Sequence, residues 1–88
     1  KVLLVSPILI DSSYKNNALF YDMFGEDAVE RSKGLAKAYE EFAQDAGIYY
    51  MNAAKFGKAS DRDGVHMEAP YHEALGKAFA EKVREILG

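Results

Sequence analysis

The apolar run near the start of the chain, "KVLLVSPILI" at residues 1–10, places the strongest constraint on the fold. Its residues are apolar without interruption from Val2 to Val5, and Pro7 ends the segment. Continuous hydrophobicity in a short segment with β-branched residues is typical of a strand that is covered on both faces, as in a parallel sheet. The run is much shorter than the roughly 20 apolar residues that span a membrane. The sequence therefore predicts a buried strand of a parallel sheet.

A long helical segment and a second short strand follow. Between residues 26 and 46, apolar side chains recur at intervals of three, four and seven residues, and Gly47 follows as a stop signal. The segment "IYYM" at residues 48–51 then predicts a second short apolar strand. The side chains predicted to form the buried face of the helix are Ala28, Leu35, Tyr39, Phe42 and Ala46.

The last segment, residues 70–87, is predicted to be a second helix that begins at Pro70. Loops are predicted over residues 11–25, where a helical turn is allowed for, and over residues 52–69. The order strand, helix, strand, helix is that of a doubly wound α/β protein. Because two parallel strands leave both sheet edges unpaired, residues 1–88 are predicted to form one unit at the end of a larger sheet. The predicted buried stripe of the last helix consists of Leu75, Phe79, Val83 and Ile86.

The composition disfavours several classes of function. The chain is 49% hydrophobic and 28% charged, which is an ordinary balance for a globular domain. Its net charge of −3 argues against nucleic acid or an anionic membrane as a partner, because both attract basic surfaces. The absence of cysteine excludes a disulfide framework, a thiolate zinc site and a cysteine nucleophile. These features leave the compartment undetermined, with a cytoplasmic location favoured, and they leave self-association open.

The most informative polar segment is "DRDGVH", residues 61–66, which follows the second strand. In open α/β sheets, functional sites form beyond the carboxyl ends of the strands. Three interpretations of this segment are open. It is a polar surface turn, a metal site built from Asp61, Asp63, His66 and His72, or a catalytic pair. In the catalytic interpretation, Asp63 fixes the tautomer of His66, and His66 acts as a general base.

Two further sets of residues also allow more than one interpretation. His72 lies six residues after His66 and is expected to be partly buried or to cap the last helix. The first long loop carries four aromatic residues, which would line a substrate pocket or pack against the sheet or an oligomer interface. These residues are Tyr14, Phe20, Tyr21 and Phe24.

The segment "DGVH" at residues 63–66, opening onto a last amphipathic helix, resembles the final conserved block of the SGNH (GDSL-type) hydrolases. The similarity continues through "KVLLVSPILI", "MFGEDAVERSKGLAKAYEEFAQDAGIYYMNAA" and "DGVHMEAPYHEALGKAFAEKVREIL", so that it covers essentially the whole chain. It is nearest to the bacterial arylesterase and acetyl-esterase branch. The resemblance implies that residues 1–88 are the C-terminal βαβα portion of a flavodoxin-like three-layer α/β/α sandwich with a parallel sheet.

The resemblance also implies a function, that of an esterase or lipase-like hydrolase of small esters that uses no cofactor and no metal. Asp63 and His66 would be two members of its Ser-His-Asp triad. The family's nucleophile lies in a G-D-S block, and its oxyanion hole includes an asparagine from a G-x-N-D block; neither block is present here. The chain is therefore expected to be inactive alone and to need the N-terminal portion of the same hydrolase as a partner. A non-catalytic α/β interaction module is the alternative.

Overall fold

A computed structural model describes all of residues 1–88 as a two-stranded sheet with three α-helices. None of the three helices is long and apolar enough to cross a membrane. Two short 3₁₀ turns, Ser12–Asn16 and Ala53–Lys55, lie beyond the ends of the two strands. The regular elements are, in chain order, β1 (Leu3–Ser6), α1 (Ala18–Phe24), α2 (Ala28–Ala46), β2 (Tyr49–Asn52) and α3 (Ala69–Leu87).

The two strands pair in parallel, with Leu3 opposite Tyr49 and Ser6 opposite Asn52. This confirms the predicted α/β class with parallel strands, and α2 makes the connection between them while contacting both. The hydroxyl groups of buried Ser6 and half-buried Tyr50 join β1, β2 and α2. Ser6 Oγ lies 2.7 Å from the hydroxyl of Tyr50 and 3.2 Å from Oδ1 of Asn52. The Tyr50 hydroxyl is also 3.0 Å from the carbonyl oxygen of Ala36 on α2.

The buried face of α2 differs from the predicted one. Its buried residues are Ala28, Ser32 and Ala43, whereas Leu35 and Phe42 are exposed, the latter by 61%. Small side chains thus face the sheet, and larger ones lie beside them on the same side of the helix. The prediction fails because two short strands are narrower than the apolar face of the helix. Of the other predicted members of the stripe, Tyr39 is half-buried and Ala46 is exposed.

The burial predicted for β1 and α3 is also incomplete. Leu3, Leu4 and Val5 of β1 are half-buried rather than covered on both faces. No residue of α3 is fully buried, and Val83, in its predicted stripe, is 44% exposed. The remaining members of that stripe, Leu75, Phe79 and Ile86, are half-buried. The apolar patterns are therefore present, but the chain itself covers only part of each face.

The prediction of a loop over residues 11–25 is wrong, because most of this segment is helical. Asn17 begins α1 with its side-chain Oδ1, which accepts the backbone N–H of Phe20 at 3.1 Å. The helix ends at Gly25, whose φ is +77°, a conformation that glycine adopts without steric cost. Elsewhere the predicted boundaries shift by one or two residues, since β2 runs from Tyr49 to Asn52 and α3 begins at Ala69.

The chain exposes more surface than a compact domain of its size. Its accessible surface is 6044 Å², against about 5,200 Å² for a compact monomer of the same mass. Its radius of gyration is 14.4 Å, against about 12 Å for a compact chain of this length. Only 10 of 88 residues are buried, and several large apolar side chains are more than half exposed. These are Val2, Leu19, Met23, Phe42 and Leu87.

We expect the 88-residue chain to aggregate or to be partly unfolded when it is isolated, because two unpaired strand edges and large apolar side chains face water. Size-exclusion chromatography with light scattering, followed by thermal melting monitored by circular dichroism, measures this directly. A monodisperse monomer that melts in a single cooperative transition would contradict the expectation.

Candidate active site

Asp63 and His66 lie in a tight turn between β2 and α3, and they contact each other directly. Asp63 Oδ1 accepts the backbone N–H groups of Val65 and His66, each at 2.9 Å. Asp63 Oδ2 lies 2.7 Å from Nδ1 of His66. One carboxylate therefore both closes the turn and orients the imidazole ring that the turn carries.

The same three N–H groups also widen the pH range over which this carboxylate is ionised. The backbone N–H groups of Val65 and His66, followed by the His66 side chain, lower the pKa of Asp63 from 3.8 to about 2. At neutral pH an ionised carboxylate only accepts hydrogen bonds, so Nδ1 of His66 carries the shared proton. The other ring nitrogen, Nε2, has no hydrogen-bond partner within the chain, and the side chain is 72% exposed. In the neutral ring, Nε2 is therefore an available proton acceptor.

Gly64 is the residue that lets the turn sit against the rest of the chain. Its φ is 74°, and a Cβ at this position would collide with the carbonyl oxygen of Asp11 and the backbone of Tyr14. The N–H of Asp11 donates to the carbonyl of Gly64 at 2.9 Å. Tyr14 is fully buried, and its hydroxyl donates to the carbonyl of Gly25. The segment after β1 thus forms a rigid support for the turn.

A closed loop surrounds the turn. Ala59 and Met67 form an isolated antiparallel bridge at its base. Inside this bridge, the N–H of Ser60 donates to the carbonyl of His66 at 2.7 Å, and the N–H of Gly64 donates to the carbonyl of Ser60 at 2.8 Å. These backbone contacts join the two ends of the loop, so Asp63 and His66 are held from both sides.

Helix α1 brings an aromatic side chain next to the catalytic candidate. The ring centroids of Phe20 and His66 are 6.0 Å apart, and those of Phe20 and Phe24 are 5.8 Å apart. Tyr14 packs edge-on against both Phe24 and Tyr21, although Tyr21 remains partly open to solvent. The four aromatic residues thus divide, with Tyr14 in the core and Phe20 beside His66. The sequence pattern gave no signal for the contact with His66, because it depends on the packing of a helix that the pattern did not predict.

The other candidate residues do not join the pair. His72 is exposed in the first turn of α3, so the prediction that it is partly buried or caps the helix is wrong. Asp61 is exposed on the surface of the loop. No three His, Cys, Asp or Glu side chains are placed together to hold a metal ion. The structure therefore brings together only Asp63 and His66 from the proposed metal set.

The lowered pKa of Asp63 gives a test of this geometry. In a soluble protein that contains residues 1–88, the Asp63 carboxyl carbon should titrate in NMR spectra with a midpoint near 2. Because the folded pKa lies below the unfolded value of about 3.9, ionised Asp63 stabilises the turn fully above about pH 5. This stabilisation should be lost as the pH falls through about 2. His66→Ala should raise the midpoint only partly, since two backbone donors remain. An unaltered protein with a midpoint near 4 would show that the turn is not formed.

Gly64→Ala should lower the free energy of unfolding by about 1–3 kcal/mol, because the new methyl group meets backbone atoms that cannot move aside easily. Gly76→Ala is the matched control, since nothing lies within 4 Å of a Cβ there and the residue is inside α3. That variant should be neutral or slightly stabilising, as alanine favours helix. Urea unfolding measures the free energy of unfolding of both variants. Equal losses in the two variants would contradict the close approach of backbone atoms to Gly64.

Comparison with known proteins adds independent information. No family model matches the sequence, and no curated protein matches it at a significant level. Several solved structures do match. A carbohydrate acetylesterase family member from Sinorhizobium meliloti is 30% identical, with a TM-score of 0.90 over 100% of this chain and 40% of that one. The carbohydrate acetylesterase Est24 from the same organism is also 30% identical, with a TM-score of 0.89 over 98% of this chain and 39% of its own.

An aryl esterase from M. smegmatis is 28% identical, with a TM-score of 0.87 over 97% of this chain and 38% of that one. The chain thus spans 38% to 40% of the length of these three structures. It matches them in fold and in sequence along almost all of its own length. The predicted resemblance to bacterial acetylesterases and arylesterases is therefore confirmed.

Proposed function

We propose that this chain supplies the aspartate and the histidine of a Ser-His-Asp triad in a carboxylic ester hydrolase. The observation that carries the proposal is the 2.7 Å contact between Asp63 Oδ2 and His66 Nδ1, which leaves Nε2 exposed and without a partner. A carboxylate that holds Nδ1 in this way is what a general-base histidine requires. The esterase identity of the matching structures supports the same chemistry.

The proposed reaction proceeds by acyl transfer. His66 Nε2 takes the proton of a serine hydroxyl while the serine oxygen bonds to the ester carbonyl carbon. Ionised Asp63 stabilises the imidazolium that forms. The imidazolium then gives its proton to the departing alkoxide, so that an alcohol leaves and an acyl-enzyme remains. Water, deprotonated by Nε2, attacks the acyl-enzyme; the acid is released and the serine regains its proton from His66.

The nucleophile in this proposal comes from another part of the hydrolase. None of the serines in the chain hydrogen bonds to the His66 side chain. Ser6, Ser32 and Ser60 are buried in other hydrogen bonds, and Ser13 bonds to Asp11. The partner proposed for this chain is the N-terminal portion of the same hydrolase, carrying the serine and the oxyanion hole.

Two observations support this choice of partner. The chain spans about two fifths of the esterase structures that it matches, so most of such a fold lies outside residues 1–88. The chain also presents apolar side chains that it does not cover, including Phe42 at 61% exposed and Leu87 at 68% exposed. An N-terminal portion that adds strands beside β1 would cover surfaces of this kind.

The test is ester turnover by this chain joined to its N-terminal portion, with 4-nitrophenyl acetate as the substrate. His66→Ala and Asp63→Asn should each lower kcat by about 10⁴-fold or more, since the base is lost or its tautomer is wrong. His72→Ala is the matched control, because this second histidine is exposed and its side chain forms no hydrogen bond with Asp63 or His66. It should leave turnover unchanged, and residues 1–88 alone should show none.

Unchanged turnover in His66→Ala would show that the triad assignment is wrong. If the joined protein hydrolysed no ester at all, the alternative of a non-catalytic α/β interaction module would be favoured instead. The two outcomes are distinguishable. In the first, the protein is an esterase that uses another base, and in the second, it is not an esterase.

A further inference from the structure

Ser60 is a junction of hydrogen bonds at the base of the loop that carries Asp63 and His66. Its backbone N–H and carbonyl bond to His66 and Gly64, respectively. Its side-chain oxygen accepts the N–H of Arg62 at 3.1 Å and donates to Oε1 of Glu68 at 2.7 Å. Ser60 itself is only 8% exposed, so its own end of each bond is shielded from water. Four contacts across the loop thus meet in one residue.

Glu68 is the partner that connects this junction to α3. It is the residue immediately before α3, yet its side chain makes no capping bond to the helix. Its carboxylate instead accepts from the Ser60 hydroxyl and lies 3.3 Å from Nε of Arg62. The Arg62 side chain is 83% exposed, so that ion pair contributes little. The bond to buried Ser60 is therefore the main side-chain contact between the start of α3 and the loop, next to the backbone bridge of Ala59 and Met67.

The His66 ring needs such support from its backbone. Its side chain is 72% exposed, and Asp63 is its one hydrogen-bond partner. The packing around the ring is therefore limited, with Phe20 on one side. Where the ring lies depends on where the backbone of His66 is held, between the N–H of Ser60 and the carboxylate of Asp63.

We propose that Ser60 and Glu68 are positioning residues, whose side-chain hydrogen bond holds the His66 backbone so that Nδ1 faces Asp63. Without this bond, the loop would keep its backbone contacts but lose its side-chain attachment to the residue that precedes α3. The ring would then sample orientations in which Nδ1 is not held by the carboxylate. The consequence for catalysis rests on the function proposed above, whereas the consequence for the tautomer of His66 does not.

The experiment uses the protein in which this chain is joined to its N-terminal portion, and its main readout is the tautomer of His66 in ¹⁵N NMR spectra near neutral pH. Glu68→Ala removes the acceptor at a side chain that is 47% exposed, so it does not threaten the fold. Glu68→Gln keeps an oxygen that accepts from Ser60. Glu73→Ala is the control, because Glu73 lies on the same helix and pairs only with exposed Lys77.

We expect Glu68→Ala and Ser60→Ala to reduce the fraction of the Nδ1–H tautomer, while Glu68→Gln and Glu73→Ala retain it. In the same variants kcat should fall by up to about 10²-fold with KM unchanged, as expected for a misplaced base. An unchanged fraction of the Nδ1–H tautomer in Glu68→Ala would overturn the proposal. The proposal would also be overturned if Glu68→Gln lost as much of this tautomer as Glu68→Ala does. If Ser60→Ala does not fold, the two Glu68 variants by themselves test whether the bond between Ser60 and Glu68 positions His66.

The two readouts also separate this proposal from the proposed function. Absence of ester hydrolysis in the unaltered protein would reject the function, while the NMR readout would still test whether Ser60 and Glu68 orient His66. A changed kcat with an unchanged tautomer would reject the positioning role and leave the esterase assignment intact.

Discussion

The carboxylate of Asp63 is the group on which the candidate site depends. It accepts two backbone N–H groups and faces a ring nitrogen, and these contacts come from only two residues, Val65 and His66. The same contacts that shape the turn lower the pKa of the carboxyl group from 3.8 to about 2, so that it stays ionised in acid solution as well. An acid that is ionised at neutral pH gives the imidazole one tautomer and one free nitrogen. One carboxylate thus both shapes the turn and orients the imidazole ring.

The turn is local, but its position is set by the rest of the chain. Gly64 lies against Asp11 and Tyr14, where no side chain fits, so the segment after β1 determines where the turn sits. On the other side, Ser60 and Glu68 connect the loop to the start of α3. Exposed apolar side chains lie on α1, α2 and α3 and next to β1. A rigid pair beside incompletely covered apolar surfaces fits a chain that completes its site together with another portion of the same fold.

Much of this arrangement could be predicted from the sequence, and the exceptions have physical reasons. The contact between Asp63 and His66 was predictable because a turn with a glycine brings residues three apart face to face. The strand and helix order was predictable from apolar runs and periodicity. Helix α1 was not, because seven residues with mixed side chains show no sustained period. The buried face of α2 was misplaced because periodicity shows which residues are apolar, and not which of them a narrow sheet covers.

The central claim is that His66 Nε2 faces a serine outside residues 1–88. A crystal structure of the protein that joins this chain to its N-terminal portion, after reaction with a phosphonate that labels activated serines, tests it most directly. The account predicts a phosphonylated serine outside these residues, with its Oγ within about 3.2 Å of His66 Nε2. A label on a serine of this chain, or a labelled serine remote from His66, would contradict it.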